Sequence, residues 1–144
     1  MRYATLFVVA VLVAACVHTK ATILDPSLQL APTCPEAVVV FTDSSKVGHP
    51  YKEIALLASE GDNNTTSSSG MINSQRKKAA QVGANGVILG SQKDASTGAQ
   101  VWHALLGTSA NRKGGALAIW IPSDSAKTAE TCKAAAAAQA SHSN

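Results

Sequence analysis

Met71-Ile-Asn-Ser-Gln-Arg-Lys-Lys-Ala-Ala-Gln-Val-Gly-Ala-Asn-Gly-Val-Ile-Leu89 is the stretch on which the fold turns. Met71, Ile72, Gln75, Ala79 and Val82 fall near one face at helical spacing, so Met71 to Val82 reads as a helix. Ser67, Ser68 and Ser69 precede it and offer N-cap oxygens for its unpaired first amides. Gly83 suits the residue that ends a helix, because it accepts a left-handed backbone. Ala84-Asn85-Gly86 then turns the chain tightly into Val87-Ile88-Leu89, an apolar run that reads as a buried strand. A helix that turns directly into a buried strand needs a sheet on which to lay its apolar face.

Working outward, Ala37-Val38-Val39-Val40-Phe41 is a β-branched run and a good strand. Thr42 to Pro50, with Asp, two Ser, Gly and Pro, reads as a loop. Tyr51 to Glu60 alternates imperfectly and reads as a second strand, followed by a polar loop to Gly70. Beyond the central stretch, residues 91–114 are mixed, with an apolar segment at Val101 to Leu106 that fits a short helix or a strand. Gly115 to Ile121 reads as a final strand, stopped by Pro122. Ala134 to Ala140 favours helix by propensity but has no face to bury, so a frayed helix or disorder is expected over 133–144. The predicted fold class is α+β, in the order β-β-α-β-β, with one helix packed on an antiparallel or mixed sheet.

The first fifteen residues have a different character. Met1-Arg2-Tyr3 carries one positive charge, Thr5 to Val13 is apolar apart from Thr5, and Ala14-Ala15 are small. This is the three-part layout of an export signal. The apolar run is about ten residues, and a membrane-spanning helix needs about 20, so a cleaved leader is expected. Val13-Ala14-Ala15-Cys16 resembles the bacterial lipobox. That resemblance implies that the Cys16 thiol receives a diacylglycerol and becomes the first residue of the mature chain. Val17 is not the aspartate that favours inner-membrane retention in such lipoproteins, which leans towards an outer membrane facing the periplasm. Residues 16–33 show no sustained period and read as an acylated tether, docking locally near Ile23-Leu24 and Leu28-Leu30. The domain proper is expected over 34–132.

The whole chain has 144 residues and a formal charge of +3, falling to +2 once Arg2 leaves with the leader. This suits one domain and gives no support for nucleic-acid binding, which shows clustered Lys and Arg interleaved with aromatics. The one dense basic cluster, Arg76-Lys77-Lys78, reads as the solvated face of a helix. Aromatic residues make up 4% of the chain, so aliphatic side chains must fill the core.

Cys34 precedes the first strand and Cys132 follows the last. In an oxidising envelope compartment such a pair suggests a disulfide joining the ends of the domain, with two free thiols or a metal pair as the alternatives.

Other constellations carry little. Ser74 and Lys77 match a Ser-x-x-Lys pattern, in which a lysine one turn along takes the serine proton, but the partner motifs are absent. Gly83, Gly86 and Gly90 follow a helix and lead into a strand, the reverse of a phosphate-cradling loop. His18, His49, His103 and His142 have no ligand spacing. Glu53, Glu60 and Asp62 are explained by solvation. Trp102, Leu105 and Leu106 form a candidate interaction patch for a partner or a bilayer, against the alternative of packing onto the sheet. No catalytic residue, metal site or cofactor is expected.

Tyr51 to Gly61 and Arg76 to Leu89, with the Gly-Ala-Asn-Gly-Val turn, resemble the domain shared by the RcsF-like stress-sensor lipoproteins and the YbjQ-like proteins, the latter once named for heavy-metal binding. The match covers about 40 residues and implies a strand, a helix and a second strand. The stress sensor forms disulfides within this domain, whereas no cysteine lies between Cys34 and Cys132 here, so no site residue is carried over. The expectation is a non-enzymatic envelope lipoprotein, partnered by the lipid bilayer through Cys16 and by an envelope protein. A small-ligand or metal-binding module is the alternative.

Overall fold

The computed structural model describes residues 17–61, 67–90 and 112–142. Five strands, β1 (His18–Ile23), β2 (Val39–Phe41), β3 (Lys52–Gly61), β4 (Gly86–Leu89) and β5 (Arg112–Trp120), form one sheet in the order β1-β3-β5-β4-β2. Two α-helices, α1 (Ser68–Gln81) and α2 (Ser125–His142), and three 3₁₀ turns complete the described chain. The fold class is α+β. The sheet is mixed: β2 runs parallel to β4, and every other pairing is antiparallel.

The central stretch folds as its spacing predicts, with the helix opening three residues earlier than expected. Ser67 caps it, its hydroxyl accepting from the Gly70 amide at 3.0 Å. Gly83 ends it in the left-handed region at φ 82°. One face of the sheet meets α1 through small side chains: Ala55, Ala116 and Ala118 from the strands, Ala79 and Ala80 from the helix, with Leu57 and Val87 among them. A helix packed over alanines lies close to the strands beneath it. Met71 comes so near Gly114 that a β-carbon there would collide with its sulfur.

The second face is partly covered by the segment between β2 and β3. Asp43 caps a 3₁₀ turn at Ser44–Lys46, and the chain beyond presses Val47 onto Ile88, Ile119 and Ile121, flanked by Phe41 and Tyr51. The sequence reading made this a plain loop; its apolar contact is a single valine.

Two expectations are corrected. The supposed tether over 16–33 contains β1, which pairs with β3 along its whole length, from His18 opposite Glu60 to Ile23 opposite Ala55. Its inward side chains are Thr19 and Ala21, half-buried, so no large apolar residue announced the alternation. Leu28 and Leu30 do pack on the core, whereas Ile23 and Leu24 are exposed. The tail expected to fray or be disordered is helical to His142. Its first turns are held by a disulfide and by buried Thr128. That fixing supplies the costly helix nucleus, from which the alanine run propagates. Two smaller shifts accompany these: Pro35–Ala37 form a 3₁₀ turn before β2, with proline at its start, and β5 begins at Arg112 rather than Gly115.

Gly83 offers a direct check on this packing. A β-carbon there would meet the Leu30 side chain and lie 2.9 Å from the Ala31 carbonyl oxygen. Gly83→Ala is therefore expected to cost about 2 kcal/mol, from the positive φ and the clash together. Urea unfolding should show a lower midpoint with an unchanged slope.

Candidate functional site

Two neighbourhoods gather the residues of interest: the seam where α2 joins the sheet, and the end of the sheet where the chain enters β1. At the seam, Cys34 and Cys132 are joined by a disulfide, with Cα atoms 5.5 Å apart and 98 residues between them in sequence. This decides among the alternatives the sequence left open. The Cys34 amide also points at the Cys132 sulfur, 3.1 Å away.

Beside the disulfide lies Asn85, a buried polar residue that the sequence reading treated only as a turn former. Its side-chain oxygen accepts from the Ile121 amide at 2.8 Å. Its nitrogen donates to the Ile121 carbonyl at 2.9 Å and to the Thr128 hydroxyl at 3.3 Å. One amide side chain thus satisfies the chain where it leaves β5 and ties it to α2. The sequence offered no sign of this, because the partners lie 36 and 43 residues away. A small cleft of about 80 Å³ opens alongside, between the 3₁₀ turn, β2 and α2, with Glu36, Val39, Asp124 and Lys127 in its walls.

Arg76 corrects the reading of the basic cluster as a solvated face. Its guanidinium is half-buried and donates to the Pro35 carbonyl at 2.9 Å and the Val38 carbonyl at 3.1 Å, clamping α1 to the chain entering β2. Lys77 is exposed, and Lys78 donates to Gln81 within the helix.

At the other neighbourhood, the Ser74 hydroxyl sits 2.6 Å from that of Thr19 and donates to the Val17 carbonyl. The serine of the Ser-x-x-Lys pattern is therefore engaged with β1. Thr19 also meets the Ser59 hydroxyl at 2.9 Å, so a line of hydroxyls links β3, β1 and α1. A cleft of about 350 Å³ opens nearby between α1 and the adjoining strand ends, its walls including Met71, Ile72, Gln75, Leu89 and Gly114.

Among the described residues, no three or more His, Cys, Asp or Glu side chains are gathered as a metal-holding group. His18 and His49 are exposed and far apart in the fold, and His142 ends α2. Glu53 and Glu60 lie near opposite ends of β3. The two carboxyls with depressed pKa values serve turns. Asp25 is held below the usual carboxylate range by the Ser27 hydroxyl and amide, and Asp43 by the Ser45 hydroxyl and, secondarily, the Ser45 amide. No helix among the described residues is long and apolar enough to cross a membrane. Cys16, Asp62, His103 and the Trp102, Leu105 and Leu106 patch lie outside the described residues.

No protein-family model matches the chain, and no curated protein matches it. Among solved structures it is similar to the crystal structure of a Francisella virulence factor, FvfA. The TM-score is 0.47 at 14% sequence identity, over 71% of this chain and 96% of that one. A likeness of this degree bears on neither activity nor partner.

Proposed function

We propose that the protein is a bacterial envelope lipoprotein, anchored through acylated Cys16, whose disulfide-closed domain acts without catalysis as a protein-interaction module at the membrane. The observation that carries this reading is the run Val13-Ala14-Ala15-Cys16 at the end of a short apolar leader, with one residue between Cys16 and the first strand. The Cys34–Cys132 bond supports it, since stable disulfides belong to oxidising compartments outside the cytosol. The anchor fits the outer membrane facing the periplasm, and the partner would be another envelope protein.

Mass spectrometry of the mature protein is expected to show a chain beginning at Cys16 and carrying two or three acyl groups. In Cys16→Ser the leader should be retained and no lipid attached. Each buried methylene contributes about 0.8 kcal/mol, so loss of the chains should reduce membrane-held mature protein roughly tenfold or more. A wild-type mature chain recovered without lipid from the soluble fraction would overturn the reading. Cross-linking in intact envelopes tests the interaction role: a reproducible protein adduct is expected, and its absence from wild-type envelopes would count against it.

A further inference from the structure

The strand that replaces the expected tether fixes how the domain stands on its anchor. β1 opens at His18, so Val17 alone separates it from Cys16. An extended chain spans at most about 3.3–3.6 Å per residue, which keeps the Cα of Cys16 within about 7 Å of that of His18. Val17 lies against α1, its carbonyl 3.5 Å from the Ser74 hydroxyl. The headgroup layer on one side of a bilayer is about 5–8 Å thick. An acylated Cys16 therefore leaves no room for the domain to swing clear of the lipid.

The strand register identifies the end of the domain that must face the membrane. His18 stands opposite Glu60, and Glu60 opposite Lys113. Gly90, just past β4, donates to Gly115 on β5 at the same end. α1 begins here too, since Met71 abuts Gly114 and Ser74 reaches β1. The far end holds Gly83, Asn85 and Ile121. His18, Glu60, Ser68 and Ser69 are exposed, and Lys113 pairs with Glu60 at 3.8 Å. Among the described residues at this end, these hydroxyls and charges of both signs match a zwitterionic headgroup layer and would not enter hydrocarbon.

We propose that this end of the sheet, with the N-terminus of α1, docks against the lipid headgroups and presents the Asn85–Ile121 end away from the membrane. This rests on the acylation of Cys16 and adds a fixed orientation to it.

The test uses the full acylated protein in phosphatidylethanolamine–phosphatidylglycerol vesicles carrying a headgroup-linked quencher. A fluorophore is placed at Ser69→Cys or Gln81→Cys, labelled after the native disulfide has closed. Both positions are exposed and lie on one helix. They are about 18 Å apart along its axis, so the Ser69 probe is expected to be quenched about threefold or more over the Gln81 probe. Inserting about 20 Gly and Ser residues between Cys16 and Val17 should bring the two values together, because such a linker spans more than the length of the helix. Equal quenching in wild-type protein that floats with the vesicles would overturn the docking and leave the anchor standing. Protein that fails to float would overturn the anchor, and the orientation with it.

Discussion

Replacing Cys34 and Cys132 together by serine is expected to lower the free energy of unfolding by about 4–5 kcal/mol. The bond closes a loop of 98 residues in sequence. In the chain-entropy description, a cross-link of that span removes about that much from the unfolded ensemble. Both residues are half-buried, so serine fits either site without a large cavity. The bond also fastens the start of α2 to the 3₁₀ turn before β2, so its loss should release that helix first. A small domain has about 5–15 kcal/mol in total, which makes this a large share. The corresponding fall in Tm is on the order of 20 °C. Calorimetry with and without reductant checks it: reductant should bring the native protein down to the double variant and leave the variant unmoved. A loss below about 1 kcal/mol would show that the seam is held by packing and hydrogen bonds rather than by covalent closure.

Asn85→Ala is expected to cost about 2–3 kcal/mol, the largest effect of any single hydrogen-bonding side chain described. Asn85 is 2% exposed and makes three hydrogen bonds. Truncation would strand the Ile121 amide, and a buried unpaired group costs about 1–3 kcal/mol; the Ile121 carbonyl keeps the Asp124 amide at 3.1 Å. Asn85→Asp should also be destabilising, because a carboxylate keeps the contact with the Ile121 amide but cannot donate to its carbonyl. Asn73→Ala on the exposed side of α1 serves as the comparison and should change stability by under about 0.5 kcal/mol. Urea midpoints for the three variants decide the matter. An alanine variant within about 1 kcal/mol of the native protein would mean that water replaces the amide at no great cost.

The parts of the fold that were legible are those whose signal is local. α1 and β4 could be read because helical spacing, a helix-ending glycine and three consecutive apolar residues lie within nineteen residues of sequence. β3 and β5 were legible from their apolar content, and Cys34 with Cys132 from their positions at the domain's ends. What escaped depends on partners distant in sequence. β1 buries only Thr19 and Ala21, against partners about forty residues away. α2 has no apolar stripe and owes its order to a bond that residue spacing could suggest but not establish. Arg76 reads as one of three surface charges until the carbonyls of Pro35 and Val38 are placed beside it. Asn85 resembles any turn asparagine until Ile121 arrives from the end of β5. The leader and Cys16 remain a sequence argument, and the anchor they imply is decided by lipid analysis rather than by the fold.

β1 also has a mechanical meaning. With an anchor at Cys16, any load between the bilayer and something gripping the domain enters at His18 and travels along the strand axis. The six paired residues from His18 to Ile23 then bear it in shear, sharing the pull across the ladder instead of opening one rung at a time. A module attached in this way transmits tension directly into its central sheet, where a loose leash would first have to be drawn taut.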